Sequence, residues 1–108
     1  MAKYLVLYRS TTSAMEQMGS MSAADKSGEM QKWMAWGAGA GPALLDWGAP
    51  LGASAAIGGA AATGHVTGYS IVQADTIDAA KRLFDGHPHL GRAGDTIEIH
   101  EAIPMPGQ

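Results

Sequence analysis

The sequence predicts a single α+β domain in which one four-stranded antiparallel sheet carries two helices on one face. Two observations indicate this fold class. The second half of the chain reads as a complete strand–helix–strand unit, with strands over 65–74 and 96–103. The first half repeats the same order more loosely. A chain of 108 residues has no room for a second core, so both units must share one sheet.

The first predicted strand contains YLVLY at 4–8, which is apolar on both alternating faces. Because such a strand must be covered on both sides, we expect helices on one side and a second copy of the chain on the other. Residues 10–28 are interpreted as a variable loop region, in which the helical spacing of Met15, Met18 and Met21 allows a short helical turn that packs over the edge of the core. The region leads into a helix over 23–38, with Ser22 and Asp25 as its capping pair. The predicted buried face of this helix comprises Met30, Trp33, Met34 and Gly37.

The middle of the chain is less regular. Residues 43–50 predict a short, irregular second strand. The variable region 51–64 is rich in Gly and Ala and is either a passive connection or a lid. The third strand is expected over 65–74, where Gly68 indicates a bulge or a close backbone approach.

The second helix is expected to begin at an Asp75 cap and to end at Gly86. Its predicted buried side comprises Ile77, Ala80, Leu83 and Phe84. The last strand, 96–103, alternates isoleucines on one face with Glu98 and His100 on the other, and 104–108 is a tail.

The resulting order is β-α-β-β-α-β, which with right-handed crossovers gives the ferredoxin-like arrangement. The open face of the sheet is expected to carry Val or Tyr side chains of the first strand beside Glu98 and His100. A face that is half apolar and half polar favours a homodimer whose sheets pack around a small cavity. The alternative is a monomer with a solvated sheet.

Composition excludes several classes of protein. The net charge is −3 and the seven basic residues are scattered, which argues against nucleic acid as a partner. Absence of cysteine excludes a disulfide framework, a thiolate nucleophile and Cys-ligated zinc. No apolar run suits a signal peptide or a membrane span, so a cytoplasmic protein without a membrane partner is expected. Phosphate-loop, dinucleotide and serine-hydrolase motifs are missing, so no cofactor is expected.

The candidate catalytic residues are histidines and carboxylates. His87 lies in a His-Pro-His turn and could act as an acid or base, or else it belongs to a plain helix-ending turn. Glu98 and His100 share a strand face, where the carboxylate could keep the imidazole basic, or they form an interface polar row. Asp46 could stand at a pocket mouth or in a strand-end turn. No metal is expected, since neither Cys nor a helical histidine pair supports a site.

The candidate ligand-binding residues are largely aromatic. Trp36 and Trp47 could line a small-molecule pocket, whereas Trp33 is expected in the core. Arg9 could hold a ligand carboxylate or form an outward salt bridge. The set is completed by His89 and Tyr69.

Several segments resemble the YCII-related proteins: AKYLVLYR, MQKWMAWG, LLDWGAPLG, GYSIVQADTIDAAKRLFDGHPHL and IEIHEAIPM. The resemblance covers nearly the whole chain outside 10–28 and 53–64, and its second half is the specific part. It implies a ferredoxin-like α+β fold and a homodimer of the dimeric α/β-barrel type. Enzyme-like members of the wider YCII/DGPF group are thought to pair a first-helix His with an Asp.

This chain departs from both motifs of that wider group. Its first helix holds Gln31 and Trp36 in the middle and contains no histidine, so the resemblance does not supply the catalytic pair. The DGPF motif is also missing, because the Asp85-Gly86-His87-Pro88 segment is a helix end. The sequence therefore favours a small dimeric protein that binds a small organic ligand in a cavity beside the sheet. The alternative is a lyase- or isomerase-type enzyme that uses a His–carboxylate pair.

Overall fold

The computed structural model describes residues 1–59 and 64–107. The strands are β1 Ala2–Ser10, β2 Leu44–Asp46, β3 His65–Ala74 and β4 Thr96–Ala102. The α-helices are α1 Ala14–Ser20, α2 Ala23–Ala40 and α3 Ile77–Arg82, and short 3-10 turns span Gly41–Ala43 and Pro88–Gly91. The strands form one antiparallel sheet in the order β2-β3-β1-β4. The prediction of a small α+β domain with a four-stranded antiparallel sheet is confirmed.

The centre of the sheet is β1, whose two faces have different surroundings. Tyr4, Val6 and Tyr8 are buried on the side where the helices pack, whereas Leu5 is 39% exposed on the other. The expectation that Val or Tyr of this strand lies on the open face is therefore wrong. The physical reason is that Tyr8 can be buried at little cost, because its hydroxyl lies 2.8 Å from Ser70 Oγ.

The last strand is oriented as its alternation predicts. Ile97 and Ile99 pack against the core, and His100 and Glu98 stand opposite Leu5 and Leu7 of the central strand. Leu5, Leu7, Glu98 and His100 therefore share the open face of the sheet.

The long helix α2 begins where the sequence predicts but turns a different face to the sheet. Ser22 Oγ accepts a hydrogen bond from the Asp25 backbone N–H at 3.1 Å. Met30 and Met34 are 61% and 59% exposed, so their predicted burial is wrong. The inward positions belong to the half-buried Trp33 and Trp36 and the buried Gly37. Two indoles remove more apolar surface from water than two methionines, which decides the rotation of the helix.

Two other helical expectations are corrected. The cap of α3 is Thr76, whose side chain accepts from the Ala79 N–H at 3.0 Å, rather than Asp75. The helix ends at Arg82, and a turn continues to Gly86, whose positive φ of 70° suits glycine. Within 10–28, the short helical turn that the methionine spacing allows is present as the separate helix α1, which Ser13 caps.

The stretch beside β2 follows the expected irregular path. The register between β1 and β3 slips next to Gly68, where Pro50 also forms an isolated bridge. A Cβ at Gly68 would lie 3.3 Å from the Ala49 carbonyl oxygen, so the predicted bulge and close approach both occur there. The Leu51 N–H then donates to the Thr67 carbonyl at 3.0 Å.

The expected lid and tail extend past the part of the chain that the structure describes. Residues 51–59 contain no helix or strand, and 60–63 lie outside the described residues, as does Gln108. Among the described residues, no helix is both long enough and apolar enough to cross a membrane.

Candidate functional site

A cleft of about 1070 Å³ opens on the helix side of the sheet. It lies between the first two helices, the chain that follows β2 and the turn that carries the histidines. Its walls include Met18, Met30, Trp33, Trp47, His87 and His89. Met18 and Met30, two exposed methionines of the helices, are thus part of a concave, largely apolar surface, a setting in which their unbranched side chains adapt to a bound shape.

His87 lies in a cage of aromatic rings at the inner end of the cleft. Its side chain is 2% exposed, and its ring stacks on Tyr8 at 5.2 Å between centroids. The indoles of Trp33 and Trp36 approach it edge-on at 4.4 and 4.5 Å, and Phe84 lies 5.6 Å away. The His87 ring is therefore a buried part of the core, although its neighbours Gly86 and Leu90 are exposed.

The protonation of His87 follows from its contacts. Its Nδ1 accepts the His89 backbone N–H at 3.0 Å, so the proton of the neutral ring is on Nε2. That Nε2 is buried and has no hydrogen-bond partner among the described residues. Burial, helped by the positive charge that His89 can carry, lowers the pKa of His87 to about 4. The ring is neutral near pH 7.

His89 is the same tautomer as His87, but in His89 the hydrogen-bonded nitrogen is Nε2 and not Nδ1. Its Nε2 lies 2.9 Å from the Arg9 carbonyl oxygen, which can only accept, so Nε2 is the protonated nitrogen. In the neutral ring, Nδ1 is then an acceptor. Within residues 1–59 and 64–107 this Nδ1 has no hydrogen-bond partner, and it is not among the fully buried polar atoms. His89, which lines the cleft, therefore carries one imidazole acceptor without a partner in the described part of the chain.

The polar groups that hold the floor of the cleft form a chain. Ser70 Oγ donates to the Trp47 carbonyl at 2.8 Å, and Tyr8 donates in turn to Ser70. Burial raises the pKa of Tyr8 to about 12, so its hydroxyl stays a neutral donor. Nearby, Ser10 Oγ donates to Asp95 Oδ1 at 2.7 Å, and Asp95 also lines the cleft.

The predicted tryptophan wall is divided between core and cleft. Trp36 Nε1 donates to the Leu83 carbonyl at 2.7 Å and its ring stacks on Phe84, so this side chain belongs to the core. Trp47 is 49% exposed and lines the cleft, with its indole lying directly against Gly37. Trp33, which the sequence places in the core, is half-buried and also lines the cleft.

A second polar group lies on the open face of the sheet. Glu98 Oε2 is 3.4 Å from Arg9 Nε, and Glu98 Oε1 is 3.1 Å from His100 Nε2. The side chains of Glu98 and His100 are 40% and 56% exposed. The carboxylate thus orients both partners, as the shared strand face predicts, but a single chain leaves the group open to water.

The structure therefore separates the predicted site residues. His87, His89, Trp47 and Tyr69 line the cleft, and Arg9, Glu98 and His100 form the open-face group. Asp46 accepts the Gly48 N–H at 2.8 Å and belongs to an exposed turn. In the described part of the chain, no three His, Asp or Glu side chains converge as metal ligands.

The sequence reasoning missed the cleft walls that α1 and α2 provide. Met18 and Met30 were expected over or within a core, because helical spacing of apolar residues does not distinguish a core face from a ligand-facing one.

The comparisons with known proteins add no relative: no family model, no curated protein and no solved structure matches this chain.

Proposed function

We propose that this chain is a YCII-related protein of ferredoxin-like fold that binds a small organic ligand in the cleft beside its sheet. The observation that carries the proposal is the cleft itself, where Met18, Met30 and Trp47 present apolar surface and His89 contributes an imidazole. Apolar walls with a few placed polar groups are typical of small-molecule sites. Its volume of about 1070 Å³ is at the upper end of such sites.

Binding of 2-naphthol tests the cleft, because the probe is flat, aromatic and fluorescent. We expect Met30→Glu to weaken its binding about tenfold, since a carboxylate replaces apolar wall. Met34→Glu is the matched control: Met34 is on the same helix and 59% exposed, but it does not line the cleft. Equilibrium titration by fluorescence measures both. Equal affinity of the two variants would contradict binding in the cleft, and failure of the wild type to bind would contradict the function.

We further propose a homodimer of the dimeric α/β-barrel type, formed through the open face of the sheet. Leu5 stands between Ile71 and His100 on this face and is 39% exposed. The face also carries the ion pair of Arg9 and Glu98, so each copy would present both a cation and an anion to the other.

Sedimentation velocity tests this arrangement. The wild type is expected to sediment as a dimer, and Leu5→Asp as a monomer, because a charge without a partner would be buried between the sheets. Ile57→Asp introduces the same charge at a fully exposed position and should leave the dimer intact. A wild type that remains monomeric at micromolar concentration would contradict the dimer proposal.

The 3.1 Å contact between Glu98 and His100 favours a second candidate function, a lyase- or isomerase-type enzyme in which the carboxylate orients His100 as a base. This candidate depends on the dimer, because only a second sheet would enclose the pair. A wild type that sediments as a monomer would therefore contradict this candidate as well.

A further inference from the structure

We propose that His89 recognises the ligand of the cleft through Nδ1, and that this ligand is an aromatic compound carrying a hydrogen-bond donor such as a hydroxyl group. The inference rests on the proposed ligand-binding function and adds the chemical class of the ligand. It is carried by the hydrogen bonds of one imidazole and by the walls around it.

The tautomer of His89 is set by the backbone. The Arg9 carbonyl occupies Nε2–H at 2.9 Å, so a neutral ring presents Nδ1 as a lone-pair acceptor. The other neutral tautomer, with its proton on Nδ1, would leave that carbonyl without this donor and place two acceptors against each other. The fold therefore presents an acceptor in the cleft, and a ligand group that itself only accepts, such as a ketone oxygen, does not match it.

The ring is also held in place before any ligand arrives. Its side chain is 9% exposed, and its edge meets the Tyr8 ring at 5.3 Å between centroids. The backbone N–H of the same residue is bound by His87 Nδ1, directly after Pro88, whose ring restricts the turn. A preorganised acceptor loses little entropy on binding, so it discriminates between ligands.

The walls indicate the rest of the ligand. Trp33 and Trp47 offer aromatic surface and Met30 offers polarizable surface, which suits a flat aromatic body. A site that is built to bond a hydroxyl discriminates strongly against the analogue that lacks it, because the polar group of the protein is left unpaired.

The test compares 2-naphthol with 2-methoxynaphthalene, which has the same rings but no O–H donor. At pH 8 a phenolic group of pKa about 10 keeps its proton and an ordinary imidazole of pKa about 6.5 is neutral. We expect the wild type to bind 2-naphthol about tenfold more tightly than the methyl ether, the size of one net hydrogen bond. Isothermal titration calorimetry measures both affinities.

His89→Gln is the informative variant, because the Gln amide can still donate to the Arg9 carbonyl from the position of Nε2 while Nδ1 is removed. We expect the preference for 2-naphthol over the methyl ether to vanish. Should this variant not fold, the imidazole ¹⁵N spectrum of the wild type replaces it: 2-naphthol should shift Nδ1 of His89, and the methyl ether should not.

The outcomes separate the two proposals. Equal binding of both compounds, or an unchanged Nδ1 resonance in the 2-naphthol complex, overturns the role of His89 and leaves the cleft as a binding site. A preference that survives His89→Gln does the same. If neither compound binds, the ligand-binding function and the role of His89 both fail.

Discussion

Lowering the pH from 7 to 4 is expected to cost the wild type about 2 to 3 kcal/mol of folding free energy that a His87→Asn variant does not lose. The cause is the aromatic cage around His87, which has no place for a charged ring. In the unfolded chain this imidazole titrates near pH 6.5, whereas in the fold its pKa is about 4. Between these values the unfolded state binds a proton that the folded state does not.

The direction in which stability changes with pH follows from this difference. The stabilising contribution of the neutral ring is complete above about pH 6.5, falls as the pH drops through that value, and stops changing below about pH 4. Asn at position 87 can still accept the His89 N–H but does not titrate, and the smaller side chain lowers stability at every pH. The informative quantity is therefore how steeply the free energy of unfolding of each protein changes with pH, and not its absolute value.

Urea denaturation at a series of pH values gives the free energy of unfolding of both proteins. Carboxylates and the other histidines contribute equally to the two curves, so their difference reports His87. Parallel curves between pH 6.5 and 4 would show that the ring is not buried as a neutral group.

The strands could be predicted from sequence because their signals are local. The Ile–Glu–Ile–His alternation of the last strand predicts its two faces, and both proved correct. The face of the first strand could not be predicted, since it is apolar on both sides and the choice depends on a hydroxyl partner. That partner, Ser70, is 62 residues away from Tyr8 in the chain.

The candidate site was predictable in residue type but not in arrangement. The His-Pro-His turn is visible in the sequence, yet the difference between a caged His87 and an accessible His89 arises from contacts with Tyr8, Trp33 and the Arg9 carbonyl. Such contacts join β1, α2 and the histidine turn, and no short spacing in the sequence indicates them. The cap of α3 could not be predicted for a different reason. Asp75 and Thr76 are adjacent and both residue types cap helices, so the sequence does not decide between them.

Gly37→Ala is expected to lower the free energy of unfolding by about 1 to 3 kcal/mol, although alanine favours helices. Gly37 is the buried residue of α2, and a Cβ added there would overlap the Trp47 indole. The Trp47 backbone is fixed by the bond from Ser70 to its carbonyl, and its indole also meets the Trp36 ring edge-on at 6.4 Å between centroids. Overpacking must therefore displace the ring or the helix.

Gly28→Ala in the same helix is the matched control. Nothing lies within 4 Å of a Cβ at Gly28, so the substitution should stabilise the protein by about 0.5 to 1 kcal/mol through helix propensity alone. Urea denaturation monitored by tryptophan fluorescence measures both variants and reports whether Trp47 has moved. If Gly37→Ala stabilised the protein as much as Gly28→Ala, the contact between helix and indole would be refuted, and with it the wall that Trp47 gives to the cleft. Weaker binding of 2-naphthol by Gly37→Ala, with Gly28→Ala unchanged, would instead link this close contact to the binding site.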